Sequence, residues 1–122
     1  AMVDTLEYLQ KGGRIGRLSA FLGGLLSVKP LLTMREGHLV PVERVRTRAR
    51  GLERLSQIAV EQQPFDGPLV VGHSDNVEMA DVLRRELLAA VPGVEIIDAE
   101  LGPVVGTYAC PNAVGVALLR QP

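Results

Sequence analysis

The segment from Leu69 to Ala99 constrains this chain most, because its hydrophobic pattern changes from strand to helix and back within one short stretch. Leu69-Val70-Val71-Gly72-His73 is a continuous apolar run of strand length. Asp75 and Glu78, three positions apart, form a capping-box-like start for a helix. Met79, Ala80, Leu83, Leu87, Ala90 and Val91 recur at helical spacing and define its buried side. Pro92-Gly93 ends that helix, and Val94 to Ala99 resumes as a strand. Together they predict a βαβ unit with parallel strands, and hence an α/β fold.

The flanking elements extend this unit. Leu31 to Met34 and His38 to Val42 read as two strands of a hairpin joined by Arg35-Glu36-Gly37. Thr47 is placed to cap a helix running to about Gln63, with Ala49, Leu52, Leu55, Ile58 and Ala59 on its apolar side. Its opposite side carries Arg48, Glu53, Arg54 and Glu61. Pro64 to Pro68 is a loop, Gly102 to Asn112 a loop or short helix, and Ala113 to Leu119 a last apolar strand, long enough for the sheet centre. Near the start, Val3, Leu6 and Leu9 predict a short helix from about Val3 to Gln10, ended by Gly12-Gly13. Arg17 to Ser27 reads as a second helix, apolar nearly all round, stopped by Pro30. Ala1-Met2 reads as an expression remnant, and the abrupt entry into a helix suggests a piece of something longer. The expected architecture is a mixed sheet of about five strands with flanking helices, in one domain over residues 1–122.

Composition narrows the function classes. The 122 residues are 47% hydrophobic with two Phe, two Tyr and no Trp, so the core is aliphatic. Thirteen Lys+Arg against fourteen Asp+Glu give a net charge of -1, which with so few rings argues against a nucleic-acid surface. The single cysteine, Cys110, rules out an internal disulfide and fits a cytoplasmic compartment. Ala1 to Gln10 has Asp4 and Glu7 and no apolar h-region, so no signal peptide is read. The apolar run Leu18 to Val28, uncharged throughout, falls far below the roughly 18 residues of a membrane span.

Leu6 to Leu32 joins a basic glycine-rich turn to an almost uncharged apolar segment, a pattern suited to a molecule with an anionic head and an apolar body. Arg14 presents a planar fork that pairs bidentately with a carboxylate or phosphate; the structural alternative is a helix cap or a pair with Glu7. Because Gly12-Gly13 follows a helix rather than a strand, it is neither a P-loop nor a dinucleotide fingerprint. The Leu18 to Val28 segment either lines a lipid tunnel or is an ordinary core helix. Arg44, Arg46, Arg48 and Arg50 form either a docking patch for an acidic partner or phosphate, or a solvated face paired through Glu53. His38, His73 and Cys110 lack metal-ligand spacing, so no metal and no cofactor are expected. His73 ends a strand, where α/β ligand sites lie, or is a hydrogen-bonded structural histidine. Thr107 and Tyr108 offer hydroxyls to a polar head group, or belong to a connecting turn. Cys110 has no base nearby in the sequence to make it a nucleophile.

Five segments carry a resemblance. LEYLQKGGRIG (Leu6 to Gly16), LLSVKPLL (Leu25 to Leu32), His38 to Arg48 with VRTR, VGHSDN (Val71 to Asn76) and LGPVVGTYACPNAVGV (Leu101 to Val116) resemble, in that order, the C-terminal half of the DegV family of bacterial fatty-acid-binding proteins. The resemblance implies a two-domain protein of roughly twice this length, whose N-terminal α/β domain is absent from this chain. It implies a long-chain fatty acid held between the domains and, in some members, presented to a kinase that phosphorylates its carboxylate. It further implies a carboxylate held mainly by Ser and Thr hydroxyls of the other domain, within a polar network that includes the arginine of GGRIG and a histidine of a GTHTGPG-like loop. Arg14 matches that arginine. Tyr108 stands at the histidine position, with Ala109, Cys110 and Asn112 where the pattern favours Thr, Gly and Gly. A tyrosine donates a neutral hydrogen bond but cannot become cationic, while Asn112 tolerates the left-handed backbone.

The leading expectation is a lipid-carrier module without catalytic residues. Arg14, Thr107 and Tyr108 serve the polar end, and Phe21, Leu22, Leu25 and Leu26 supply apolar wall to a tunnel completed by the other domain. A chain of ~16 carbons gains on the order of 10 kcal/mol from transfer at ~0.8 kcal/mol per methylene, before association costs. Arg44, Arg46 and Arg48 dock a partner such as a fatty acid kinase. An apolar face left by the other domain lets the isolated chain pair with itself. Two rivals stand beside it: a catalytic domain using Arg14, His73 and Tyr108 on an acyl or phosphorylated substrate, and a regulatory protein-interaction domain using the arginines from 44 to 50.

Overall fold

The computed structural model describes residues 1–3, 29–100 and 113–122. Its elements are β1 (Lys29–Arg35), β2 (His38–Val45), α1 (Arg48–Glu61), β3 (Leu69–Ser74), α2 (Val77–Ala90), β4 (Ile96–Glu100) and β5 (Ala113–Ala117). The expected mixed α/β architecture with five strands is present. The expected helices over 3–10 and 17–27 and the loop over 102–112 lie outside the described residues, apart from Val3.

The βαβ unit forms as its pattern predicts. β3 and β4 run parallel, in register from Leu69 opposite Ile96 to His73 opposite Glu100. The helix start is displaced by one residue from the expected cap. Asp75 takes a left-handed conformation (φ 53°) to turn the chain out of β3, so Asn76 becomes the N-cap, its Oδ1 accepting the Met79 N–H at 3.0 Å. Met79, Ala80, Leu83 and Leu87 face inward, whereas Ala90 is exposed at the final turn and Val91 lies beyond it. β4 begins at Ile96 rather than Val94, because the turn through Gly93 (φ 84°) returns Val94 N–H to the Val91 carbonyl.

β1 and β2 form the expected hairpin, each strand longer than its apolar residues suggest. The turn is tight: Glu36 (φ 52°) and Gly37 (φ 79°) both adopt positive φ, the conformation of a two-residue primed turn. Thr47 caps α1 as predicted, its Oγ1 accepting the Arg50 N–H at 3.1 Å. The inward stripe of α1 is Gly51, Leu52, Leu55, Ser56 and Ala59. Ala49, expected on that stripe, is exposed in the first turn, and Ile58 lies only partly buried at its margin.

β3 is the strand paired along its length on both sides, by parallel β4 and antiparallel β5. β5, expected to reach Leu119 at the sheet centre, ends at Ala117, and among the described residues its other side pairs with Met2. Ala1 and Met2 are paired into the sheet. Met2 exchanges backbone hydrogen bonds with Val114 (2.7 and 3.0 Å), Ala1 O accepts from Leu32 N (2.7 Å) and Val3 N donates to Pro30 O (3.3 Å). These three residues therefore join the two-stranded and three-stranded sheets in the order β4-β3-β5-(1–3)-β1-β2. Val3, expected in a helix, is extended here because its N–H is committed to β1.

One aliphatic core spans both sheets. Met2, Leu31, Val45, Leu69, Val71 and Val114 from the sheet meet Leu52, Leu55 and Ala59 of α1 and Met79, Leu83 and Leu87 of α2. Both helices thus cover the same face. Burying a Leu-sized side chain contributes about 1.5–3 kcal/mol, so this cluster fixes where every strand end lies.

Candidate functional site

The register of the strands brings chain ends to one edge of the sheet. β3 ends at Ser74 beside the start of β5 at Ala113, and β4 ends at Glu100 beside His73. Residues 1–3 run antiparallel to both β5 and β1, so Val3 leaves the sheet at this same edge. Lys29 begins β1 there, paired with Val45 at the end of β2. Along this edge lie, in order, Glu100, Ser74, Ala113, Val3, Lys29 and Val45, about 24 Å across at the usual strand spacing.

Residues 4–28 connect Val3 to Lys29, and residues 101–112 connect Glu100 to Ala113. Both segments thus open from this edge and return to it. Arg14, Phe21, Leu22, Leu25 and Leu26 belong to the first segment, and Thr107, Tyr108 and Cys110 to the second; all lie outside the described residues. The β3-α2 and β2-α1 turns reach the same edge. The carboxyl ends of parallel strands, where β3 and β4 stop, are where open α/β sheets place their ligands.

His73 occupies the end of β3 on the helix-covered side, since Val71 and Leu69, two and four positions earlier, point into the core. Its Nδ1 accepts the backbone N–H of Asn76 at 3.2 Å, which ties the end of the strand to the start of α2. Glu100 is its direct neighbour in register. His38 sits at the hairpin tip on the opposite edge, so the two histidines do not converge. Among the described residues no three His, Cys, Asp or Glu side chains are placed to hold a metal ion.

The arginine run changes from strand to helix in its middle. Arg44 lies on β2, Arg46 in the connection, and Arg48 and Arg50 in the first turn of α1, which contains no acidic residue. All four are exposed, so the single strand face open to the sequence is not formed. Arg50 pairs with Glu53 at 3.2 Å, as the solvated-face alternative expects. Arg54 instead leaves the run to grip Glu43 of β2, its Nη2 2.8 Å and its Nε 3.1 Å from the carboxylate. The Arg54 hydrogen bond holds the Glu43 carboxyl below its ordinary range. The pair pins α1 to the end of β2 and so sets where the arginines stand. Sequence spacing carries no signal for this cross-element pair, nor for His73 beside Glu100.

Among the described residues no helix is long and apolar enough to cross a membrane. Comparison with known proteins gives a consistent result. A DegV domain-containing protein of Streptomyces coelicolor is 38% identical over 120 residues, covering 95% of this chain and 42% of the relative. The crystal structure of a fatty acid binding DegV family protein from Streptococcus agalactiae superimposes with a TM-score of 0.88 at 32% identity, over 99% of this chain and 44% of that one. A DegV family protein from Thermus thermophilus, described for its fatty acid binding, matches with a TM-score of 0.83 at 31% identity, over 98% and 44%. The chain therefore spans less than half the length of these relatives. The DegV family model matches residues 1–121, and the chain belongs to the DegV family.

Proposed function

We propose that this chain forms one half of a fatty-acid tunnel, closed by a second domain of the kind that makes up the rest of its relatives' length. The observation that carries the reading is the convergence at one sheet edge. The segment with Arg14, Phe21, Leu22, Leu25 and Leu26 and the segment with Thr107 and Tyr108 both start and finish there. A polar grip and an apolar wall drawn from those segments have their anchors side by side. The description of the Streptococcus agalactiae and Thermus thermophilus proteins as fatty-acid-binding supports the ligand class. The role is binding in the cytoplasm, with no reaction carried out by this chain.

The test is extraction of the full-length protein. Denaturation of the purified protein releases a long-chain fatty acid by mass spectrometry, and added palmitic acid raises its melting temperature by mass action. A protein that releases none and shows no shift overturns the reading.

In the same reading, Arg44, Arg46 and Arg48 dock an acyl-accepting partner such as a fatty acid kinase. Their exposure at the β2-α1 end of the edge supports this, since a partner reaching the ligand's polar end passes there. Arg46→Glu is expected to weaken partner binding while leaving fatty-acid affinity unchanged; loss of both, or of neither, removes the docking role.

A further inference from the structure

His73 carries a hydrogen-bond donor that nothing among the described residues accepts. Its Nδ1 receives the Asn76 backbone N–H, and because a backbone amide can only donate, a neutral ring keeps its proton on Nε2. Holding the β3-α2 turn requires only an acceptor at the δ position, which Asn or Asp supplies in many such turns. Imidazole adds a second polar atom, and the Nδ1 bond fixes the ring that carries it. The ring is half-buried at the carboxyl end of β3, beside the last residue of β4.

We propose that His73 Nε2–H donates a hydrogen bond to an oxygen of the fatty-acid carboxyl group. This rests on the fatty-acid reading above and adds a described residue to the polar end of that site. The charged groups around the ring are Glu100 from β4, Asp75 in the turn and Glu78 in the first turn of α2; β5 contributes the uncharged Val114. All three carboxylates are exposed, so solvent and salt screen their repulsion of an anionic head. A hydrogen bond from a fixed, half-buried donor to a charged acceptor outweighs that screened repulsion.

Two substitutions separate the nitrogens in the full-length protein, with palmitic acid as the probe. His73→Asn keeps an acceptor at the δ position and removes the ε donor; His73→Gln keeps a donor at the ε position and gives up the δ acceptor. His73→Asn is expected to melt near the wild-type temperature yet bind palmitate about ten-fold or more weakly. His73→Gln is expected to lose stability while keeping most of the affinity. Wild-type affinity in His73→Asn overturns the proposal and leaves the fatty-acid reading intact. If His73→Asn fails to fold, His73→Gln decides, and affinity lost there also overturns it. A wild-type protein that takes up no palmitate overturns the fatty-acid reading and this proposal with it.

Discussion

The Met2 sulfur occupies the space that a β-carbon on Gly51 would need, with Val45 Cγ2 closing the other side at 3.2 Å. Glycine inside a helix ordinarily costs about 1 kcal/mol relative to alanine, so Gly51→Ala is stabilising on propensity alone. Overpacking a fully buried contact costs roughly 1–3 kcal/mol and reverses the sign. Gly51→Ala is expected to lower the melting temperature, and Met2→Ala to lower it through a cavity. The double substitution is expected to cost less than the two single effects added, since the second change makes room for the first. Additive losses in thermal unfolding would show that Met2 and Gly51 do not compete for the same space.

The α-amino group of Ala1 donates to the Leu32 carbonyl at 2.8 Å from a partly buried position, although the residue as a whole is exposed. Burial penalises the charged form and lowers its pKa from 8.0 to about 6. The folded state therefore binds this proton less tightly than the unfolded chain. The stability is present above pH 8 and is lost as the pH falls through the folded value near 6. Because Ala1 is exposed as a residue, solvent screens much of this difference, and the chain beginning at Ala1 is expected to lose on the order of 1 kcal/mol between pH 8 and pH 5 from this group. Acetylating the amine leaves an N–H for Leu32 without the charge, and should flatten that part of the denaturation profile. An unchanged profile in the acetylated chain would place the proton linkage elsewhere.

What the sequence disclosed follows from how locally each feature is determined. β3, α2 and β4 were legible because burial writes an apolar run and a helical period directly into neighbouring residues. The cap was misread by one position because Asp75 and Asn76 are both cap residues, and only the left-handed turn at Asp75 decides between them. The pairing of Met2 is not legible because three residues carry no periodicity; it rests on partners at Leu31 and Val114, far away in the chain. The common edge was invisible for the same reason. Arg14, Thr107 and Tyr108 could be named from residue chemistry, but that both their segments open from one edge follows only from long-range register.

The grip of Arg54 on Glu43 gives a third expectation. Both side chains are partly exposed, so the pair is worth about 1 kcal/mol rather than the several of a buried pair. Glu43 has its folded pKa lowered, first by the Arg54 hydrogen bond, so its contribution is present above the ordinary carboxylate range and disappears as acid protonates it. Arg54→Ala is expected to cost about 1 kcal/mol at pH 7 and much less at pH 3, measured by urea denaturation. Arg54→Lys should recover only part, because a lysine cannot span both carboxylate oxygens. An equal loss at both pH values would mean that Arg54 acts through its packed stem instead.

Glu86 on α2 presents the reverse case. One of its carboxylate oxygens, Oε2, is buried with no hydrogen-bond partner among the described residues. Desolvation raises its pKa, and Glu53 across on α1 raises it further. A carboxyl raised in the folded state favours folding while protonated, and that advantage is lost as pH rises through its folded value. At neutral pH Glu86 is therefore a cost that the interface between α1 and α2 carries. Glu86→Gln keeps the shape and removes the charge, so it is expected to stabilise the protein by about 1 kcal/mol at pH 7 and by almost nothing near pH 4. Glu53→Gln should have little net effect, because it removes the smaller of the two causes but also the exposed ion pair with Arg50. Urea denaturation of both variants at the two pH values checks the assignment. A destabilising Glu86→Gln at pH 7 would show that the buried oxygen has a favourable partner after all.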